Sequence, residues 1–210
     1  MREPDMKRLF LFDFDGVVVD SLELYEHSVN LCLEKLGLPP FRSRQEFLRV
    51  FEDNFYEGIG KKGVDVPAFT KVSAELAPSL NYSKVTPVRE LEPVLENLRK
   101  RHTLAIVSSN SNYAIERILS GIGYGRFFDE ILGSDFMFSK VEKIRHITER
   151  TGMQVNGTFY IGDTVGDILE AKQAGVKTVA VTWGWHTKEQ LAVANPDYLI
   201  DSPEELLDIG

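Results

Sequence analysis

Residues 9–17 read Leu9-Phe10-Leu11-Phe12-Asp13-Phe14-Asp15-Gly16-Val17. Residues 9–14 form a short, largely apolar run that closes on acids and a glycine. Such a run predicts a strand buried on both faces, as in a parallel sheet. Two aspartates one residue apart at its end point the same way by the strand period of two. Carboxylates that close repel one another unless a cation or a shared proton offsets the repulsion. Ligands of open α/β sheets bind outside the carboxyl ends of strands, so this pair stands where a site belongs. The plain alternative is a turn in which two acids precede Gly16.

The same signature recurs downstream. Apolar runs at 103–107, 158–161 and 178–181 predict further strands, with weaker candidates at 128–132 and 198–200. Helical stripes lie between them: Leu91, Val94, Leu95 and Leu98; Ala114, Ile115, Ile118 and Leu119, stopped by Gly121; Val141, Ile144 and Ile147; Ile168, Leu169 and Ala171, stopped by Gly175. The alternation predicts an α/β fold, a Rossmann-like, doubly wound parallel sheet. Residues 20–86 break it. Helices are expected at 22–36, 44–55 and 66–76, with a Gly-rich loop over residues 57–63. The predicted organisation is an α/β core of residues 1–19 and 87–210, with a small helical domain, residues 20–86, inserted after the first strand.

Composition sets outer bounds. The chain has 210 residues and a formal net charge of −8, is 43% hydrophobic and 27% charged, and so reads as globular and acidic. An acidic balance opposes a nucleic-acid backbone as partner. The longest apolar run has four residues, far short of the ~20 of a membrane span. Residues 1–5 are charged at once, with no apolar leader, and the expected location is cytoplasmic. Cys32 is the single cysteine, which excludes an internal disulfide and a cysteine zinc site; between Leu31 and Leu33 it reads as packing.

Three further features sit at predicted strand ends or helix starts. Gly162-Asp163-Thr164-Val165-Gly166-Asp167 holds acids four apart, which a helix starting there would put on one face; an N-cap with a first-turn acid is the plain alternative. Ser108-Ser109-Asn110 offers hydroxyls and backbone N–H groups suited to an anion, or else an ordinary cap. Lys140 stands at a helix start, against the macrodipole, and needs another reason to be there.

Taken in order, acidic pair, Ser, Lys, acidic pair, the chain resembles the haloacid dehalogenase-like hydrolase superfamily from Leu9 to about Leu207. The matching motifs are Asp13-Phe14-Asp15-Gly16-Val17, Ser108, Lys140, and Gly162-Asp163 to Asp167. The helical insert looks like that family's cap. The segments Val181-Thr182-Trp183-Gly184 and Asn195-Pro196-Asp197 are similar to its phosphoglycolate-phosphatase-like members. The third motif departs: Ser139-Lys140-Val141-Glu142 stands where Gly-Lys-Pro-x-Pro is usual, which leaves Lys143 as a second candidate.

The resemblance implies a Mg²⁺-dependent phosphatase acting on a small phosphorylated metabolite, as monomer or homodimer. Asp13 would be the nucleophile and form an aspartyl phosphate; an ordinary carboxyl is ionised at neutral pH and needs no base. Asp15 would serve as general acid and base. Ser108, Ser109 and Lys140 would bind the phosphoryl group. Asp13, Asp15 (through its carbonyl), Asp163 and Asp167 would hold the metal. A phosphosugar mutase of the same fold, or a noncatalytic phosphate-binding regulator, is the alternative; the mutase branch places a His ten residues after the second aspartate, where this chain has Tyr25. By the same resemblance Lys61 or Lys62 would meet an anionic leaving group. The histidines His27, His102, His146 and His186 are scattered, and Trp183 and Trp185 read as packing.

Overall fold

The computed structural model describes residues 7–209, so the charged residues 1–5, read above as leaderless, lie outside the described residues. The strands are β1 Leu9–Phe12, β2 Val19–Asp20, β3 Thr86–Pro87, β4 Thr103–Val107, β5 Glu130–Leu132, β6 Thr158–Gly162, β7 Lys177–Val181 and β8 Tyr198–Ile200. One parallel sheet runs β5-β4-β1-β6-β7-β8, with Leu9 opposite Thr103 on one side and Thr158 on the other. β1 is central and fully buried. Its alternation decides the layers: Phe10 and Phe12 join one core cluster, Leu9 and Leu11 the other.

Helices cover both faces. α5 Leu91–Arg99 and α6 Asn112–Ile122 supply Leu95 and Ile115 to the Phe10 side. α7 Lys140–Thr151 and α8 Val165–Ala174 supply Ile144 and Ala171 to the Leu9 side. α9 Lys188–Val193 packs Leu191 against Ile168 and Ala180. Connections leave β1 toward β4 and leave β6 toward β7, in opposite directions, so the crevice of this sheet opens between β1 and β6.

Residues 22–76 carry α1 Leu22–Lys35, α2 Arg44–Leu48, α3 Phe55–Lys61 and α4 Val66–Leu76, around their own aromatic cluster of Tyr25, Phe47, Phe51, Phe55 and Phe69. Cys32 is buried in it, as packing. β2 and β3 pair antiparallel where the chain leaves and re-enters the α/β layer, a ladder too short to show in a periodicity.

The elements differ from expectation most clearly at three places, and β5 starts at Glu130 and not at residue 128. β1 ends at Phe12 and not at residue 14, because the chain turns through Gly16 at φ 84°. α6 runs past Gly121 and stops at left-handed Gly123. The expected helix 44–55 and Gly-rich loop 57–63 are instead α2, a 3₁₀ turn Arg49–Glu52, and α3. Asn54 starts α3 by accepting the Tyr56 and Glu57 N–H groups with its side chain. Gly58 serves there as a contact residue: a Cβ would collide with the Val50 carbonyl. Gly58→Ala is therefore expected to lower stability by about 1–3 kcal/mol in urea melts. Gly60→Ala, whose Cβ would meet only the tip of Val66 in ordinary contact, should raise it by about 0.5–1 kcal/mol.

Candidate active site

Four carboxylates and one ammonium converge at the β1/β6 crevice. Asp13 continues β1 by donating its N–H to the Ile161 carbonyl of β6. Its Oδ1 accepts the Phe14 N–H at 2.8 Å and its Oδ2 lies 3.0 Å from Lys140 Nζ. Asp15 accepts from Ser21 Oγ at 2.6 Å and from Asn110 Nδ2 at 3.0 Å. Asp163 follows β6, and its Oδ2 accepts the Trp185 N–H at 2.6 Å. Gly16 presses against that carboxylate so closely that a Cβ would overlap it. Asp167, in the first turn of α8, accepts from the Thr164 N–H and hydroxyl, from Tyr160 OH and from Lys140. Asp163 and Asp167 thus do not share a helix face as the spacing suggested. α8 begins at Val165, and the two meet because a strand end and a first helical turn border one crevice.

Lys140 has its reason: its ammonium bridges Asp13 and Asp167. Lys143 is buried too, but donates to the Ser108 carbonyl at 2.5 Å, which fixes the end of β4. Ser108 Oγ accepts the Asn110 N–H at 3.1 Å, and the cap of α6 is Ser111, so neither Ser108 nor Ser109 is a helix cap. Ser108, Ser109, Asp13, Asp15, Lys140 and Asp167 border one cavity of about 20 Å³.

Burial governs the charges. It pushes the Asp13 carboxyl up to about 7, against the pull of Lys140. Without a cation beside it, the Asp13 carboxyl therefore stands above the ordinary range expected from the sequence. Burial raises Asp15 to about 6, with Ser21 and Asn110 holding it back. Asp163 is driven well above the carboxylate range by burial and by its neighbours Asp167 and Asp13. Asp167 is also buried, but Lys140 and Thr164 outweigh that and hold it low. Burial works against the charged form of Lys140, yet Asp13 and Asp167 keep it raised. Burial and the nearby Lys140 ammonium lower Lys143 to about 7.

Asp13, Asp163 and Asp167 each place a carboxylate oxygen within 4.8 Å of the others, all buried. Asp163 Oδ1 has no hydrogen-bond partner among the described residues. An orphaned buried carboxylate oxygen, in a set of hard oxygen donors with one ammonium among them, fits a small divalent cation.

Other side chains complete the cavity. Trp185 packs edge-on against Phe51 and Tyr25, as read from the sequence, and all three also border the site; Trp183 donates to the Val17 carbonyl. Glu170 accepts from Asn54 Nδ2 at 3.0 Å and from the Lys140 N–H at 2.8 Å, tying the helical insert to the site. Tyr56 OH reaches the Ser109 carbonyl at 2.9 Å. His186 accepts the Val165 N–H on Nδ1, and so faces the Leu48 carbonyl with Nε2–H. Trp185 stands just past a strand end and Glu170 three residues after Asp167, signals that a stricter use of the strand-end rule and helical spacing would have caught. Lys61 and Lys62 lie outside the cavity, exposed, on Asp53 and Glu46.

A family model described as haloacid dehalogenase-like hydrolase matches residues 10–181. A phosphoglycolate phosphatase of Synechococcus elongatus is 29% identical over 202 residues, covering 94% of each chain. A phosphoglycolate phosphatase of Vibrio parahaemolyticus is 25% identical, covering all of this chain and 98% of its own. A haloacid dehalogenase-like hydrolase from Streptococcus pneumoniae shares the fold with a TM-score of 0.80 at 20% identity, over 96% of this chain and 97% of that one. A hydrolase of the same superfamily from Geobacter sulfurreducens gives 0.68 at 19%, over 97% and 99%. Among the described residues no helix is long and apolar enough to cross a membrane.

Proposed function

The chain belongs to the haloacid dehalogenase-like hydrolases, and from that membership we propose a Mg²⁺-dependent phosphatase that hydrolyses a small phosphomonoester through an aspartyl phosphate on Asp13. The observation that carries this reading is the buried convergence of Asp13, Asp163 and Asp167 around Lys140, with one Asp163 oxygen left unpartnered.

In this reading Asp13 attacks phosphorus, forming an acyl phosphate bond as the ester P–O bond breaks. Asp15, held by Ser21 and Asn110, gives its proton to the leaving oxygen. A water then attacks the intermediate, Asp15 takes its proton, and phosphate departs with Asp13 restored. The Ser108 hydroxyl, the Ser109 N–H and Lys140 bind the equatorial oxygens. Asp13, Asp163, Asp167 and the carbonyl of Asp15 would hold Mg²⁺, which supplies positive charge against the nucleophile, the phosphate and the transition state. That charge would also keep Asp13 ionised despite its burial. Residues 20–86 act as a cap over the core of residues 1–19 and 87–210, excluding water from the reaction. Tyr25 argues against the mutase alternative: burial, with Tyr56 and Asp15 adding to it, raises its phenol well above the ordinary range, so it does not shuttle protons near neutrality.

The test is metal dependence. Chelation should remove turnover, Mg²⁺ should restore it, and Ca²⁺, which prefers more ligands at longer distances, should restore it poorly. Without substrate, Mg²⁺ at about 100 times its Kd should stabilise the fold by about 2.7 kcal/mol, a rise in Tm of about 5–10 °C. Asp163→Ala should lose that rise and need more Mg²⁺ for turnover. Full activity in excess chelator refutes the reading.

A further inference from the structure

Two cavities meet at Asp15. One, of about 20 Å³, is bordered by Asp13, Ser108, Lys140 and Asp167. The other, of about 40 Å³, lies between α1, α4 and α6 and shares only Asp15 and Tyr25 with the first. If Asp15 protonates the leaving oxygen, as proposed above, the first cavity is taken up by the phosphoryl group and its ligands. The rest of the alcohol then extends past Asp15 into the second.

The second cavity carries no cation. Its wall is apolar along Leu24, Leu76, Leu80 and Ile118, and polar along Ser28, Ser73, Tyr82, Asn110 and Ser111. Among the described residues no Lys, Arg or His borders it, and Lys140 is the one cationic residue bordering the first. Lys140 is already engaged by Asp13 and Asp167. Asp53 and Glu170, at the first cavity, add negative charge. Lys61 and Lys62 border neither cavity and pair at the surface with Asp53 and Glu46. Lys84 and His27 border a neighbouring groove, beside Asp20 and Glu23. A carboxylate or second phosphate on the leaving group would thus be taken out of water beside the Asp15 carboxyl with only neutral donors such as Ser28, Ser73 and Asn110 and no cation to pair it, which is costly. Hydroxyls or an apolar body would be satisfied there.

We propose that the substrate is the phosphomonoester of an uncharged alcohol, with neither a carboxylate nor a second phosphate on its leaving group. The proposal rests on the phosphatase reading and on Asp15 as its acid. It separates this chain from the ester in its relatives' names: 2-phosphoglycolate carries a carboxylate on the leaving group.

The experiment compares kcat/KM of the full-length enzyme with Mg²⁺ on phenyl phosphate, glycerol 3-phosphate and 2-phosphoglycolate. The two esters of uncharged alcohols should each exceed 2-phosphoglycolate by at least about 10-fold, the lower end of a missing charge-assisted hydrogen bond. Ser28→Lys adds the missing cation from α1, and Ser73→Lys adds it from α4. At least one of them should raise 2-phosphoglycolate turnover relative to phenyl phosphate by about 10–100-fold. Lys61→Ala with Lys62→Ala should leave the wild-type ratio unchanged. The proposal is overturned if wild type prefers 2-phosphoglycolate, if neither lysine shifts the ratio in a protein that melts normally, or if the double alanine variant loses 2-phosphoglycolate turnover alone. Absence of turnover on all three esters removes the phosphatase reading, and the proposal with it.

Discussion

Asp13→Asn is expected to lower turnover by at least about 10⁴-fold while leaving the fold intact, because an amide is not a nucleophile toward phosphorus and nothing nearby replaces it. Asp15 is engaged by Ser21 and Asn110, and Asp167 by Thr164 and Lys140. Retention of more than a few per cent of the wild-type rate would remove Asp13 from the nucleophile's role. The same substitution has a second signature in the metal-free protein. Burial raises the Asp13 carboxyl from 3.8 to about 7, so between those values the folded state binds a proton that the unfolded state has released. Its contribution to stability is full below about pH 4 and is lost as pH rises through about 7. In chelator, wild type should be less stable at about pH 8 than at about pH 5, and Asp13→Asn should narrow that gap. Asp163, raised in the same direction, keeps part of it. Urea melts at the two pH values provide the measurement.

Asp15→Asn should divide substrates by their leaving groups. Loss of general acid–base catalysis is worth about 10²–10⁴-fold, and an alkyl ester, whose alkoxide leaves only when protonated, should suffer all of it. A nitrophenyl ester needs no proton to leave, so its first step should survive. Hydrolysis of the aspartyl phosphate would still lack its base. A burst of nitrophenolate equal to the enzyme concentration, followed by slow turnover, is therefore expected in rapid mixing. Equal steady-state losses on both esters with no burst would show that Asp15 holds the site together and does not move a proton.

What the chain discloses to a reader depends on how local the cause is. β1 and its carboxylates were legible because a strand buried on both faces must be apolar throughout and its acids can only sit at the end. The same rule found Ser108 and Asp163, each just past a strand. Lys140 was legible as an anomaly, a cation at the wrong end of a helix, though its partners Asp13 and Asp167 were not. The error at residues 57–63 has an equally definite cause. Glycines 58, 60 and 63 read as a loop when only flexibility is considered, but Gly58 is there because the turn at Val50 passes too close for a side chain. Nothing local to either segment encodes that approach. The bond from Asn54 to Glu170, far apart in the chain, is of the same kind. So is the lack, among the described residues, of a cation around the cavity beyond Asp15, which is a property of three helices meeting and of no single motif.

β2 and β3 form a doorway. Val19–Asp20 and Thr86–Pro87 lie side by side and antiparallel, so the chain leaves the α/β layer and returns to it at one point. Strands paired this way are about 5 Å apart, a gap that many different segments can close at similar entropic cost. Whatever is threaded through the doorway leaves the order of the six strands, and the meeting of β1 with β6, as they were. The chain thus separates two inheritances. The carboxylates travel with the sheet, while most of the wall beyond Asp15 travels with the excursion between β2 and β3. An exchange of residues 22–85 would renew most of the wall beyond Asp15 and leave Ser21 on Asp15, provided the incoming segment restores the bond that Asn54 makes to Glu170.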